Sequence, residues 1–470
     1  DPRSYPLPPY LASLAVSEIK ADAGSLADRQ LIDTVFRTLR PYGGTACVLL
    51  AAAERDALLN QPADLLPAGA AVRPAGDWVL LSRDGPLSGS ADWTHAEADA
   101  GVTGASEDLA VRAPLELLWF DTPPRWFRTP GSVLVRVCGG RVLFKSGKLQ
   151  AVDVYTGRPL WETQLSLPSN ANDQFVAFDD AIYVTSGTTC LVFDPASGKQ
   201  IRQIELPAGL NGPWTNLRVW QDYLVVQSGK HLVCLNRHSG ELVWKLECGR
   251  AALSVAIGSG KVFCAELANL RRGETEQEDA VTRALDIATG KLLWQIAGGS
   301  DVRYSGSPDL IVMATGIYRA LDGSLLAALP DVWSKADPKI PLQNLPKPLL
   351  VVGSRLLFGT SENLSLFDLT TGERTGNPIV WQRRGCTIPR ASSHLITTRY
   401  RGNAACLDLH SLDIVPFWNV RAACSNNLFP ANGVLNMPSM TGGCTCNYTP
   451  VSQAFVPADA IGLPGDVGPP

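Results

Sequence analysis

The residues best equipped for covalent or metal chemistry in this 470-residue chain are its eleven cysteines, and they are unevenly placed. Five of them, Cys386, Cys406, Cys424, Cys444 and Cys446, fall in the last 90 residues. Cys386, Cys424, Cys444 and Cys446 lie near expected strand starts or hairpins, where Cα separations of about 5.5 Å let disulfides close. Four cysteines allow three pairings, which the sequence does not choose between. Such a cluster points to an oxidising compartment. A metal site on Cys444 and Cys446, with His394 as a third ligand, is the other reading. Its Cys-x-Cys spacing is tighter than that of the usual zinc knuckle. Cys138, Cys190, Cys234 and Cys264 read as buried structural thiols.

Other chemistry is sparse. There are five histidines, His95, His231, His238, His394 and His410, and no Cys-x-x-Cys-His attachment site for haem. His231, His238 and His410 fall in repeat turns or strands, and His95 reads as structural. No catalytic residue and no metal ligand set is assigned, and cofactor-binding residues stay unknown. Glu18 closes an expected strand and reads as a solvated strand end. Arg383, Arg384, Arg390, Arg399 and Arg401 make a locally basic stretch, either a solvated sheet edge or an anion site. Asn363 and Asn447 open Asn-x-Ser/Thr triplets, a motif frequent by chance.

The composition is that of an ordinary folded chain, 45% hydrophobic and 18% charged. A net charge of −4 gives no electrostatic case for nucleic acid. The densest apolar stretch, Cys47 to Ala53, is far shorter than the roughly 20 residues of a membrane helix. The chain opens at Asp1 without Met or leader, which reads as a processed product or a fragment of a longer precursor.

What must position any site is a repeated hairpin phrase. It reads LQAVDVYTGRPLW at 149–161, CLVFDPASGKQI at 190–201 and LVCLNRHSGELVW at 232–244. It returns as TRALDIATGKLLW at 282–294 and LSLFDLTTGERT at 364–375. The anchors Asp153, Asp194, Asn236 and Asp286 are spaced 194 − 153 = 41, 236 − 194 = 42 and 286 − 236 = 50 residues apart. A degenerate copy at Asp322-Gly323 precedes Asp368, and Asp408 follows 40 residues further on. This period is that of β-propeller blades. Each anchor side chain accepts a backbone N–H two residues on and starts a turn. Gly157, Gly198, Gly240, Gly290 and Gly372 sit four residues later, where positive φ is needed. Trp161, Trp244 and Trp294 follow on the returning strand and are expected to fill the wedge between neighbouring blades.

Residues 1–85 differ. Ser13–Glu18 reads as a buried strand, 26–39 as an amphipathic helix stopped by Pro41-Tyr42-Gly43-Gly44, and 45–50 as a continuous apolar strand. A short helix over 52–60 and strands at 70–73 and 78–82 complete the unit. Residues 86–112 read as a Gly/Ser/Ala-rich lead-in linker. The propeller then spans 113–460, with blades near 131–165, 170–206, 216–249, 252–298, 301–333, 347–383, 386–421 and 424–459. Eight blades fit, with seven the alternative. The segment Leu115–Phe120 is expected to supply the outer strand of the last blade and so close the ring. Residues 461–470 read as a mobile tail.

These Asp-x-x-Thr-Gly-x-x-Leu-Trp phrases resemble the repeats of pyrroloquinoline quinone (PQQ) binding-like propellers. The lead-in Asp92-Trp93-Thr94-His95, with Asp99 and Leu115 to Trp119, resembles the segment before blade one in that family. Residues 1–85 resemble the C-terminal half of a class I methyltransferase, without its S-adenosylmethionine-binding half. The combination, with the ending Gly443-Cys444-Thr445-Cys446-Asn447-Tyr448, is similar to large proteins of planctomycete-type bacteria. The resemblance implies a mainly β, eight-bladed quinoprotein-like propeller behind a partial Rossmann-like α/β module. It implies a secreted, periplasmic or cell-surface bacterial protein. A second polypeptide, the upstream part of the same precursor, is expected to complete the α/β module. The function read from this is a non-catalytic interaction or assembly scaffold with no cofactor expected. The alternatives are a quinoprotein oxidoreductase with PQQ and calcium in the funnel, against which stands the lack of a Cys-Cys pair, and a methyltransferase-derived enzyme active only when completed.

Overall fold

The computed structural model describes residues 7–17, 29–121, 134–165, 174–267, 280–330, 346–360, 362–382, 388–418, 420, 428–438 and 451–461. Glu18, Arg383, Arg384, Cys386, Cys424, Cys444, Cys446 and the tail from 462 lie outside them.

The N-terminal unit runs β1 (Leu14–Ser17), α1 (Arg29–Thr38), β2 (Gly44–Leu49), α2 (Ala52–Leu59), β3 (Ala70–Ala75) and β4 (Trp78–Arg83). Its sheet has the order β1-β2-β4-β3. β1 and β2 are parallel, and β4 is antiparallel to both of its neighbours. Gly44 starts β2 because a Cβ there would collide with the Arg40 carbonyl, and Gly43 turns the chain at φ +104°. Ile32, Phe36 and Leu39 pack with Leu58 onto Ala46, Val79 and Leu81, which covers one face of the sheet. The other face is less covered. Leu14 and Val16 are 63% and 52% exposed, so β1 is not the buried strand its apolar sequence predicts.

Eight further four-stranded sheets follow, all antiparallel. Their strands span 134–164, 175–205, 214–247, 253–297, 303–328, 347–380, 390–417 and 429–457, here blades 1 to 8. The first strand of each blade touches that of the next, and Phe429–Ala431 of blade 8 returns to Leu134–Cys138 of blade 1. Blade 8 takes its outer strand from β5 (Leu115–Asp121), which pairs with Ser452–Pro457. Both ends of the ring are thus joined by one sheet, and no open edge is left between first and last blade.

The repeated phrase has a two-blade logic. The anchor carboxyl or amide accepts N–H groups two residues on: Tyr155 onto Asp153 (2.9 Å), Ala196 onto Asp194 (3.0 Å), His238 onto Asn236 (2.9 Å). The glycine four residues later returns its N–H to the anchor carbonyl at 2.7–3.0 Å in the five complete copies. In three copies, Gly157, Gly198 and Gly290, that glycine also lies under the tryptophan of the preceding blade; Gly240 meets Ile204 and Gly372 meets Ala327 instead. A Cβ on Gly157 would be 2.7 Å from Trp119, and one on Gly290 2.6 Å from Trp244. The same indoles donate to that turn, Trp119 to the Val154 carbonyl (2.7 Å), Trp161 to Pro195 (3.0 Å) and Trp244 to Ile287 (2.7 Å). In blade 5 the anchor position is Arg319, not Asp322, because the Gly323 N–H bonds the Arg319 carbonyl.

Candidate functional site

The segment read as a linker crosses the axis of the ring instead. Trp93 exchanges two backbone bonds with Val137 of blade 1, at 2.6 and 3.0 Å. The Thr94 carbonyl accepts the Ala177 N–H of blade 2 (3.0 Å), and His95 Nε2 accepts the Val219 N–H of blade 3 (3.1 Å). Ala100, Gly101, Thr103 and Gly104 then accept N–H groups of Ile257, Tyr304, Val351 and Ala391, in blades 4 to 7. Ser106 Oγ donates to Pro430 of blade 8 (2.6 Å), and the Asn432 N–H bonds the Ala91 carbonyl (2.8 Å). Residues 91–106 therefore visit all eight inner strands in order. Inner strands carry free N–H and C=O groups on their axial edge, and this plug satisfies them.

The plug is tightly made. Gly104 takes φ +72° beside Leu350, and Gly101 passes close to the Tyr304 carbonyl. Ala98 and Val102 adopt left-handed backbone at φ 73° and 64°, uncommon for a β-branched residue. Asp108 staples both ends: its carboxylate accepts Ala91 (3.0 Å), Gly433 (2.8 Å), Ala110 (2.8 Å) and Val111 (2.9 Å).

Immediately beneath the plug lies a tier of arginines. Arg136, Arg218, Arg303 and Arg390 each precede the inner-strand residue whose N–H the plug binds, in blades 1, 3, 5 and 7. Arg136 Nε donates to the Phe175 carbonyl of blade 2 (2.8 Å), and Arg218 Nε to the Val255 carbonyl of blade 4 (3.1 Å). Arg303 pairs with Glu97 of the plug (3.1 Å) and donates to the Val102 carbonyl. The Arg390 guanidinium stacks 3.8 Å from the Phe429 ring centre and 5.4 Å from that of Trp93. Burial first, then mutual repulsion, pushes Arg136 down to about 9 and lowers Arg390. Arg218 is also lowered by burial, with Glu97 and Asp99 acting the other way.

The titratable plug residues are all engaged. Burial and the neighbouring Arg218 and Arg136 keep His95 neutral, well below its ordinary pKa. Nε2 accepts from Val219, so the proton sits on Nδ1 and is donated to Thr94 Oγ1 (2.8 Å). His95 is structural. Asp99 accepts the Thr103 N–H (3.0 Å) and hydroxyl (2.8 Å), and burial pushes it up to about 6. A calcium–quinone centre needs free carboxylate and amide oxygens around the axis. Here the axial carboxylates are bound to Arg303 and Thr103, and the wall is cationic, so the residues do not fit that group. The arrangement is suited to holding negative charge.

One expectation changes. Arg390 and Arg399 are not on a solvated basic edge: they are 9% and 0% exposed. The metal reading rests on cysteines outside the described residues, and among the described residues no three His, Cys, Asp or Glu side chains gather to hold an ion. Cys138, Cys190, Cys234, Cys248, Cys264 and Cys406 are buried free thiols. The arginine tier was missed, although the sequence carries a signal. Its spacings are 218 − 136 = 82, 303 − 218 = 85 and 390 − 303 = 87, each twice the blade period.

Residues 186–413 match the family described as outer membrane protein assembly factor BamB. Within those residues the repeats are similar to the PQQ-type repeats of that family. Among solved structures, quinohemoprotein alcohol dehydrogenase from Comamonas testosteroni is similar over 89% of this chain and 85% of its own, at 12% identity and a TM-score of 0.50. BamB from Moraxella catarrhalis is similar over 57% of this chain and 79% of its own, at 14% identity and a TM-score of 0.38. The quinohemoprotein likeness shows the propeller fold alone. No curated protein matches the chain. None of these matches supports the methyltransferase resemblance of residues 1–85, and the described residues hold only two α-helices beside their many strands.

Proposed function

We propose that this chain is a non-catalytic propeller scaffold of eight blades, working in an assembly of the bacterial periplasm or cell surface. The observation that carries the reading is the rim. Outer strands of the blades present Ile201, Leu242, Leu292, Leu325, Val380, Val415 and Phe120, each between 42% and 66% exposed. Edge strands with apolar side chains are templates for an added strand or an apolar partner face. The match to an assembly factor of outer-membrane proteins agrees with a partner presented as β-structure. The plugged, cationic axis speaks against the quinone-dependent alternative.

A second polypeptide at β1 belongs to this reading. A parallel pair such as β1 and β2 is ordinarily covered on both faces. Leu14 and Val16 are exposed, and among the described residues β1 pairs only with β2. The completing segment is expected to lie along β1 and cover Leu14 and Val16.

Two measurements on the full chain decide the scaffold. Photo-crosslinkers at positions 201, 292 and 380, introduced in the native host, should give discrete adducts with one envelope protein, and crosslinkers at the plug should not. Addition of PQQ and calcium should leave the visible spectrum as the sum of its parts and give no dye reduction. Quinone-dependent dye reduction, or a rim without adducts, would replace the scaffold by the oxidoreductase reading.

A further inference from the structure

Cys248 and Cys264 meet across the joint between blades 3 and 4. Cys248 follows the outer strand of blade 3, Leu242–Glu247, and its N–H bonds the Lys230 carbonyl (2.8 Å). Cys264 lies in the second strand of blade 4, Lys261–Glu266. Gly249, beside Cys248, donates its N–H to the Glu266 carboxylate (3.0 Å). Glu266 stands two residues from Cys264, on the same face of that strand. Both cysteines belong to one apolar cluster with Leu253, Val255 and Leu285, and their thiols share a hydrogen bond.

The two thiols are unequal. The bond from Cys264 holds Cys248 below its ordinary pKa, and the Arg283 guanidinium acts the same way, against burial and the nearby Glu266 and Glu247. The same bond, with burial, holds Cys264 well above its own. Arg283 is placed by the sheet, where it stands opposite Cys264 and pairs with Glu266. Burial raises Cys138, Cys190, Cys234 and Cys406 instead, Cys190 and Cys234 to about 12. A thiol that ionises readily is the one that attacks. Access differs in the same sense. Cys264 is fully buried, whereas Cys248 lies at a strand end between the exposed Glu247 and Gly249, so a small local opening uncovers it.

We infer that Cys248 and Cys264 are a redox-active pair that closes to a disulfide by exchange with a small organic disulfide, Cys248 attacking and Cys264 resolving. The Cys248 thiolate, its proton released to solvent, attacks one sulfur of the small disulfide, whose S–S bond breaks and one half leaves as a thiolate. Cys264 then gives up its proton and attacks the Cys248 sulfur of the mixed disulfide, and the second half leaves. The two departing thiolates take up two protons. Two protein thiols are thus oxidised by two electrons, and one disulfide is reduced to two thiols. The new bond spans 264 − 248 = 16 residues and makes the joint between blades 3 and 4 covalent. The pair is independent of the rim, so either reading can fail without the other.

Oxidised glutathione added to the reduced, folded full chain tests it, with an acid quench, alkylation in denaturant and peptide mass mapping as the readout. A peptide linking residues 248 and 264 is expected, while Cys190 and Cys406 stay open to alkylation. In C264S a glutathione adduct on Cys248 should accumulate at least tenfold above the parent, because nothing resolves it. In C248S the Cys264 thiol should stay unmodified. Two thiols that merely fill the core would not show this asymmetry. The map of the parent chain needs no variant, so the test stays decisive if neither variant folds. Absence of the 248–264 peptide from the parent, or a glutathione adduct on Cys264 in C248S, overturns the assignment.

Discussion

Arg40, just after α1, forms an ion pair with Asp153, the turn anchor of blade 1. The Asp153 side chain is 1% exposed and that of Arg40 13%. The other carboxylate oxygen of Asp153 accepts the Tyr155 and Thr156 N–H groups, at 2.9 and 3.0 Å. The contact is therefore where the α/β unit locks onto the propeller, with Tyr10 edge-on to Tyr155 at 5.4 Å alongside.

Removing one partner of a buried pair strands the other charge. R40M is expected to lower stability by about 3 kcal/mol, and R40M/D153N to recover most of the loss, because the amide oxygen still serves the turn. Urea unfolding of the two variants measures this. Equal stability of R40M and parent would show that the pair contributes nothing.

Asp108 holds the plug by four backbone N–H groups, two of them on each carboxylate oxygen. An amide in its place offers one oxygen and turns an NH₂ group toward two of those donors. D108N is expected to cost about 3 kcal/mol. Hydrogen exchange locates the effect: the amides of Ala177, Ile257 and Val351, which bond the plug, should exchange faster than those of the outer strands. If all strands quicken alike, Asp108 acts on the whole fold and not on the plug.

Two glycines separate backbone strain from packing. Gly147 and Gly198 both have positive φ, +61° and +67°. A Cβ on Gly147 meets nothing within 4 Å, and one on Gly198 runs into the Trp161 ring. G147A should therefore cost only the left-handed penalty, about 1 kcal/mol. G198A adds an overpacked ring and a strained Trp161–Pro195 bond, for about 3 kcal/mol in total. Urea midpoints of the pair check the difference, and equal shifts would refute the stacking of one blade on the next.

The same pair explains how far the sequence reached. Anchor, glycine and tryptophan recur at fixed offsets because each turn is local and each contact reaches only the neighbouring blade. The closing strand Leu115–Phe120 was legible because blade 8 lacked an outer strand. Blade 7 lacks the turn glycine: Leu412 takes that place at φ 64°, so its phrase reads as weak although the turn is made. The plug was opaque for a different reason. Residues 91–106 bond strands that lie from 44 to more than 300 residues away, mostly with main-chain groups that carry no sequence signature. The arginines were visible only at twice the period, and the burial of Arg390 was not legible because its partners, Phe429 and Trp93, come from distant parts of the chain.

Asp99 gives the plug a pH dependence of definite sign. Burial raises its carboxyl from an ordinary 3.8 to about 6 in the folded protein, against the pull of its bonds from Thr103. Between about pH 4 and pH 6 the unfolded chain has released this proton and the folded chain still holds it. Stability therefore falls as pH rises through that window, and stays lowered above it. A shift of this size amounts to about 2–3 kcal/mol. D99N keeps the Thr103 N–H bond and can turn its NH₂ to the Thr103 hydroxyl, which also bonds Ala105. The variant should match the parent near pH 4, gain on it steadily to pH 6, and be the more stable protein at pH 7. Chemical unfolding at pH 4.5, 5.5 and 7 measures the gain. A constant difference across the three, or a D99N protein that loses ground as pH rises, would show that the Asp99 carboxyl is ionised throughout and that the plug does not resist its charge.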